Sequence, residues 1–429
     1  MTKERIVVIG GGLGGLACAA LAARGGRQVV LLEKSAAPGG RAASQQEGGA
    51  WLNLGPHALY RGGAGREVLA ALGVEPAASA PRGSGSLALD GGEVHALPVG
   101  LLSMLSTGLL GLGEKLEVAR LLQGLGSIEP TSLAGQSVRQ WIDRTVRRPG
   151  SRRLLEALVR VATYSNAPGL AAADESVRQL QRATTTGVLY VDGGWQSIVE
   201  ATRARAVEAG VEVRVSARAV SIDGGRVGLA DGSSVDAGPG GAVVVAAGLS
   251  AAAELVPGSA SLAAAARDAV PIRAACLDLV LSALPRPQAR FCLGIDEPLY
   301  YSVHSATARL GPEGRHVIHA ARYLAPGETA DASSIEAMLD RLQPGWRGHV
   351  VARRFLPQLV VAGDLHPVGR ARPATVVPDA PGVLVVGDWV GHGAMLADAS
   401  LASAREAAAH LLEGARAAAP APEPIRAWG

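Results

Sequence analysis

A short apolar strand, Arg5–Ile9, runs directly into Gly10-Gly11-Gly12-Leu13-Gly14-Gly15, and a helix of small residues, Leu13–Arg24, follows. A second apolar strand, Gln28–Glu33, comes next and ends on an acid. Two parallel strands need a crossover of this kind, so the order dictates a β-α-β unit. Each glycine of the G-x-G-x-x-G loop has a task in such a unit. Gly10 permits the tight turn, Gly12 lets backbone approach a diphosphate, and Gly15 lets helix and strand pack closely. The helix start offers free N–H groups and the positive end of its dipole to phosphates. Glu33, eighteen residues after Gly15, is placed to accept hydrogen bonds from both hydroxyls of an adenosine ribose. An acid there disfavours a 2′-phosphate, and so disfavours NADP.

The same alternation returns later in the chain. Glu212–Val215 and Ala219–Ile222 read as strands, Arg226–Ala230 and Ser234–Asp236 as a hairpin about Asp231-Gly232, and Ala242–Ala246 as a buried strand. The strand Val383–Val386 and the helix Met395–Leu412 close the pattern. Between these islands, Leu59–Thr186 reads as largely helical, with periodic runs at Glu114–Gln123 and Arg153–Ala162. Pro257–Leu356 mixes the strands Ala274–Leu281 and His316–Ala321 with one helix, Ser333–Arg341. A chain of 429 residues is long for a single core. The division expected is a nucleotide-binding domain of residues 1–58, 187–256 and 357–414, a substrate domain of 59–186 and 257–356, and a loose Pro-containing tail, 415–429.

Beyond Glu33 the sequence continues Lys34-Ser35-Ala36-Ala37-Pro38-Gly39-Gly40-Arg41. An acid, a short spacer and Gly-Gly-Arg resembles the extended fingerprint of the FAD-binding superfamily of amine oxidases and phytoene desaturases, which also holds protoporphyrinogen oxidases and Rab GDP-dissociation inhibitors. Tyr190-Val191-Asp192-Gly193-Gly194-Trp195 is similar to that family's lead into the adenine-contacting strand. Gly387-Asp388-Trp389, after Val383–Val386, resembles its second FAD motif. The resemblance implies an α/β fold: a Rossmann-like FAD-binding domain with a discontinuous α+β substrate domain, glutathione-reductase-like (GR2 type). It implies non-covalent FAD, contacted by Gly10, Gly12, Leu13, Gly14, Gly15, Glu33, Lys34, Gly39, Gly40, Arg41, Val220, Gly387, Asp388, Met395 and Leu396. Within that set, Arg41 would lie against the phosphates or flavin, Val220 against adenine and Asp388 against the ribityl chain. The helix after Met395 would point its N-terminus at the flavin N1–C2=O edge, where hydride transfer to N5 leaves negative charge.

Members of this superfamily pass hydride from a C–H bond to flavin N5, and oxygen or another acceptor reoxidises the flavin. Amine oxidases commonly hold a water near N5 with a lysine, but no lysine follows Lys115 here. Leu54-Gly55-Pro56-His57 and Ala162-Thr163-Tyr164-Ser165 look closer to the phytoene-desaturase-like branch, which acts on lipophilic molecules and includes enzymes of secondary metabolism. The leading expectation is an FAD-dependent oxidoreductase, desaturase- or dehydrogenase-like, with a lipophilic substrate. The alternatives are an amine or amino-acid oxidase without the lysine, and a non-catalytic escort protein on the same fold. Four residues are candidates for the reacting centre. His392 lies in a loop expected beside the flavin, and His57 follows a Gly-Pro turn. Tyr300 and His304 share parity on one strand, hence one face. Trp195 and Trp389 read as cofactor-side packing.

The remaining composition mainly excludes. A net charge of +3 without a basic stripe argues against nucleic acid. Three scattered cysteines argue against a disulfide framework or a Cys-based metal site and for a reducing cytosol; no metal is expected. No secretory signal is read at the start, and a cytoplasmic protein is expected. Val99–Gly113, uncharged throughout, is short of the ~20 residues of a spanning helix. It reads either as a buried helix or as a shallow membrane or substrate-entry contact. Oligomeric state is not legible.

Overall fold

The computed structural model describes residues 4–418 apart from positions 82 and 84. The expected tail, 415–429, lies outside the described residues from 419 on, while 415–418 extend the last helix, Leu396–Ala418. Among the described residues no helix is long and apolar enough to cross a membrane.

The first strand, β1 (Ile6–Ile9), the helix α1 (Leu13–Arg24) and the second strand, β2 (Val29–Leu32), form the expected unit. β1 and β2 pair in parallel, Ile6 opposite Val29. Glu212–Arg214 adds outside β2, while Ala242–Val245 and then Val383–Val385 add on the other side of β1. The result is a five-stranded, all-parallel sheet whose central strands are buried on both faces, as such sheets require. α1 is rich in Ala and Gly, which lets it approach the sheet, the Gln196–Glu208 helix and the last helix closely. A Cβ on Gly15 would meet the Gly10 carbonyl oxygen at 2.0 Å, so the close helix–strand packing expected of that position is present. The opposite face carries the three-stranded meander Ala219–Asp223, Arg226–Leu229, Ser234–Asp236.

The second sheet has seven strands in the order Val350–Ala362, Ile272–Leu281, His316–Leu324, Leu299–Val303, Phe291–Gly294, Ser86–Asp90, Glu93–Ala96. Alternation along Ile272–Leu281 divides its faces. Ala275, Leu277 and Leu279 pack under the Ser333–Leu342 helix, whereas Ala274 and Cys276 face the helices around Pro149–Thr163. The Val350–Ala362 strand runs straight through the expected boundary at 356/357 and ends six residues beyond it.

The 59–186 stretch is largely helical, as expected, and also holds a hairpin, Ser86–Asp90 and Glu93–Ala96, that delivers two strands to the second sheet. Gly91 and Gly92, at φ 58° and 80°, make the turn. That is the backbone a two-residue hairpin of right-handed twist needs. The 257–356 stretch has a second helix, Ala260–Asp268.

Candidate cofactor and active site

A cavity of about 640 Å³ lies between the carboxyl ends of β1, β2 and Ala242–Val245 and the Val350–Ala362 strand. Crevices at this edge of a parallel sheet are where such folds take ligands. Fourteen of the fifteen residues expected at the cofactor line it; Met395 is buried behind the wall instead.

At one end, Glu33 is 7% exposed and fixed from two sides. Its Oε2 accepts from Gly11 N at 2.6 Å and its Oε1 from Ser35 N at 2.8 Å. A carboxylate has about four lone-pair sites, so acceptor capacity remains for a diol. Val220 stands at the same end. Next comes Gly12, around which a Cβ would meet nothing within 4 Å, and the first turn of α1, whose N–H groups have no partner inside the helix. Gly39 and Gly40, at φ 147° and 54°, bring a second backbone segment alongside through a Gly12–Gly39 bridge. A diol acceptor, an anion-binding helix end and a glycine-lined groove in line fit an FAD adenosine diphosphate.

At the far end, Asp388 is 2% exposed and takes a bidentate fork from Arg41, Oδ1 to Nη2 at 2.6 Å and Oδ2 to Nη1 at 2.7 Å. Gly363 N donates to the same carboxylate at 2.9 Å. Arg41 and Asp388, expected at different parts of the cofactor, are thus paired with each other on one wall. The last helix points its first turn into the cavity, with Leu396, Ala397 and Asp398 on the wall. Asp398 Oδ1 accepts from Gly65 N at 3.0 Å, and Arg182 Nη1 lies 3.6 Å from Oδ2. Burial pushes the Asp398 carboxyl up to about 6, against the pull of Arg182.

Another part of the wall is formed by Leu54, Pro56, His57, Tyr60, Tyr164 and Leu359–Val361. Tyr164 donates to Pro56 O at 2.9 Å, and burial raises its phenol well above the ordinary value, so it stays neutral. Three non-glycine residues among those described have positive φ, and two of them, Tyr164 (60°) and Leu396 (56°), stand on this cavity. Backbone strain of this kind collects at functional sites. His57 Nδ1 lies 3.1 Å from Gly55 O and Nε2 3.1 Å from Arg41 O. A neutral imidazole can donate to only one of these, and burial lowers His57 to about 4.

Of the four residues expected at the reacting centre, only His57 is on the cavity. His392 is exposed, with its ring 6.5 Å from that of His366. Gly391 and Gly393, both at positive φ, flank it. The ligand atoms of Glu175, His366 and His392 lie within 4.8 Å of one another, but Arg372 contacts His366 Nε2 and places a positive charge where a metal cation would sit.

Tyr300 and His304 do meet, Oη to Nε2 at 3.3 Å, although His304 has left the strand for a single 3₁₀ turn. They are buried away from the cavity. Tyr190 stacks on His304 at 4.0 Å and its hydroxyl lies 3.3 Å from that of Tyr300. His319 packs edge-on against His304 at 4.6 Å, and His319 Nδ1 lies 2.6 Å from Asp278 Oδ1. Arg354 Nη2 holds the other Asp278 oxygen at 2.7 Å. Trp195 is on the cavity wall, while Trp389 is buried behind it and donates from Nε1 to Ala247 O at 3.0 Å.

Sequence reasoning did not single out Tyr60, Asp398 or Leu359–Val361. The Asp398 signal was present, an acid in the first turn of a helix already expected to face the cofactor.

A family model described as flavin containing amine oxidoreductase matches residues 13–277. No curated protein is significantly similar to the chain. Among solved structures, an oxidoreductase from Methanosarcina mazei is similar with a TM-score of 0.73 at 19% identity, covering 94% of this chain and 99% of its own. A candidate protoporphyrinogen oxidase from Exiguobacterium sp. 255-15 is similar with a TM-score of 0.69 at 18% identity, covering 96% and 99%. The cyclohexylamine oxidase of Brevibacterium oxydans IH-35A is similar with a TM-score of 0.68 at 14% identity, covering 97% and 100%. At these identities the structural likenesses establish the fold.

Proposed function

The chain belongs to the flavin-containing amine oxidoreductase family, and from that premise we propose a desaturase- or dehydrogenase-like oxidoreductase that removes hydride from a lipophilic small molecule. FAD, when bound, supplies the hydride acceptor. The protein supplies position and field. Glu33 would receive the ribose hydroxyls, and the start of α1 the diphosphate. Asp388, immobilised by Arg41 and Gly363, would offer its remaining lone pairs to ribityl hydroxyls. The first turn of the last helix would stabilise negative charge on a reduced ring system.

One observation carries the substrate class. The wall facing the expected flavin end is Leu54, Pro56, Leu359, Val360 and Val361 with two tyrosines and a histidine that burial keeps neutral. It presents no lysine, and its acids Asp388 and Asp398 each face an arginine. An ammonium substrate finds Asp388 matched by Arg41, and Asp398 in a burial that favours its protonated form. His57, held near 4, is a weak base at neutral pH; its part is to hold the Arg41 backbone and close the wall.

A second reading, amine oxidation, is favoured by the family model itself and by Tyr60, Tyr164 and Trp195 on the cavity. A test follows from bleaching of the flavin under anaerobic conditions. Polyenes or porphyrinogens should bleach the purified protein, with oxygen or another acceptor restoring the colour. Bleaching by amines alone would establish the second reading. A protein that shows no flavin spectrum even after added FAD would be an escort protein and not an enzyme.

A further inference from the structure

We propose that the apolar ridge at residues 99–116 docks the protein on the surface of an anionic lipid bilayer. Leu101, Leu102, Leu105 and Leu112 are 77%, 83%, 67% and 78% exposed, and Val99 and Leu116 are more than half exposed. Exposed apolar side chains are ordinary when scattered but not when contiguous. The Leu101–Ser106 helix buries none of its residues, so packing among the described residues does not account for its leucines. No charged residue occurs between His95 and Glu114.

The ridge is firmly seated. Leu109 and Leu110 are buried beneath it with Leu97, Val118 and Leu154, and Met104 packs on the same cluster. Ser103 bonds the Gly100 N–H at 3.0 Å, and Lys115 Nζ donates to Leu105 O at 2.9 Å. Its polar backbone ends are therefore satisfied from within, as an interfacial element needs.

Charge chooses lipid over other occupants. The two acids beside the ridge, Glu114 and Glu117, are each engaged by backbone N–H groups. Glu114 takes those of Gly150 and Gly111 at 2.8 and 3.0 Å, and Glu117 those of Arg147 and Arg148 at 2.7 and 3.2 Å. Lys115, Arg120 and Arg147 follow the ridge or pack against its helix without a salt bridge among the described residues, and Arg148 stands close enough to Glu117 to help lower its carboxyl. Arg148 lies over Gly113, where a Cβ would meet its Cζ at 2.5 Å. A leucine tip inside a cationic rim matches acyl chains beneath anionic headgroups. A two-fold contact between copies would instead set the rim against itself. This inference stands apart from the proposed reaction, since docking needs no turnover.

The test uses full-length, FAD-loaded protein and sedimentation with vesicles of phosphatidylcholine containing a quarter phosphatidylglycerol. The protein should sediment with them and be released by about 0.5 M salt, where screening is nearly complete. Pure phosphatidylcholine should bind at least about tenfold more weakly. The triple variant Leu101→Ser, Leu102→Ser, Leu105→Ser alters only exposed side chains and should keep its circular dichroism and flavin spectrum. It should lose at least about tenfold in partitioning. Failure of the wild type to sediment, or equal sedimentation of the variant, overturns the proposal. So does a wild type that elutes as a dimer beside a monomeric variant, neither binding vesicles, which would make the ridge an interface between copies.

Discussion

Asp398 offers a quantitative test of the far end of the cavity. Its carboxyl is 2% exposed, stands in the first turn of the last helix, and has no hydrogen-bond donor to Oδ2 among the described residues. Burial, with a smaller push from Glu67, outweighs Arg182 and the Gly65 N–H and raises the group to about 6. In the unfolded chain it would titrate near ~3.9. The native state therefore holds the proton more tightly, and the stability this gives is full below about pH 4 and lost as pH rises through about 6. A shift of about two units is worth ~3 kcal/mol at ~1.4 kcal/mol per unit. An asparagine in place of this aspartate mimics the protonated form at every pH. In flavin-free protein the Asp398→Asn variant should match the wild type near pH 4. It should gain on it by ~1.4 kcal/mol per pH unit and level off above about pH 7, ahead by ~3 kcal/mol. Urea unfolding of both proteins, followed by tryptophan fluorescence over that range, measures the gap. Other groups titrate in both proteins and cancel in the difference. A gap that stays constant with pH would mean that Asp398 is ionised at no cost, and the account of this carboxylate would be wrong.

Glu33→Ala removes the acceptor for Gly11 N and Ser35 N as well as for the ribose expected there. Loss of charged hydrogen bonds worth ~1.5–3 kcal/mol each should weaken FAD binding by at least about tenfold in a fluorescence titration; unchanged affinity would remove Glu33 from the site. Asp278→Ala leaves His319 and Arg354 without their shared carboxylate in a site where the Asp278 and His319 side chains are fully buried. It should cost ~3–5 kcal/mol in urea unfolding, and a cost below about 1 would show that the pair is not the anchor of that cluster. His57→Ala should slow anaerobic flavin reduction because its ring closes the cavity wall, whereas His392→Ala should leave the rate within about twofold because its ring faces solvent. The reverse pattern in stopped-flow traces would return His392 to the reacting centre.

Local rules made part of this molecule legible. The span of α1, the parallel sheet and the placing of Glu33 beside Gly11 all follow from short-range periodicity and from glycines whose Cβ would collide. The Ser86–Ala96 hairpin carries an equally local signal in Gly91-Gly92, but in a chain with 56 glycines such a pair does not stand out. Tyr300 does meet His304, but across a 3₁₀ turn that follows the strand, so strand parity is not the cause, and parity could not show that Tyr190, from another segment, engages both inside the protein. The aromatic wall at Tyr60 and Tyr164 arises where distant segments meet, and no spacing in the sequence encodes that meeting. For His392, the flanking glycines leave the loop's path open, and the sequence alone could not say that the residue would stand exposed off the cavity.

The fork between Arg41 and Asp388 joins positions 347 residues apart. It dictates an order of events during synthesis. While a ribosome is still making the second sheet, β1, α1 and β2 are already out, but Asp388, the Val383–Val385 strand and the helix that packs on α1 do not yet exist. The glycine loop of a nascent chain has the anion-binding end of a cofactor site and no far wall. Contacts of such separation form late and slowly. Flavin capture therefore belongs to the finished chain, and a truncation that spares everything before residue 380 would leave a protein with its fingerprint intact and no closed place to keep the cofactor.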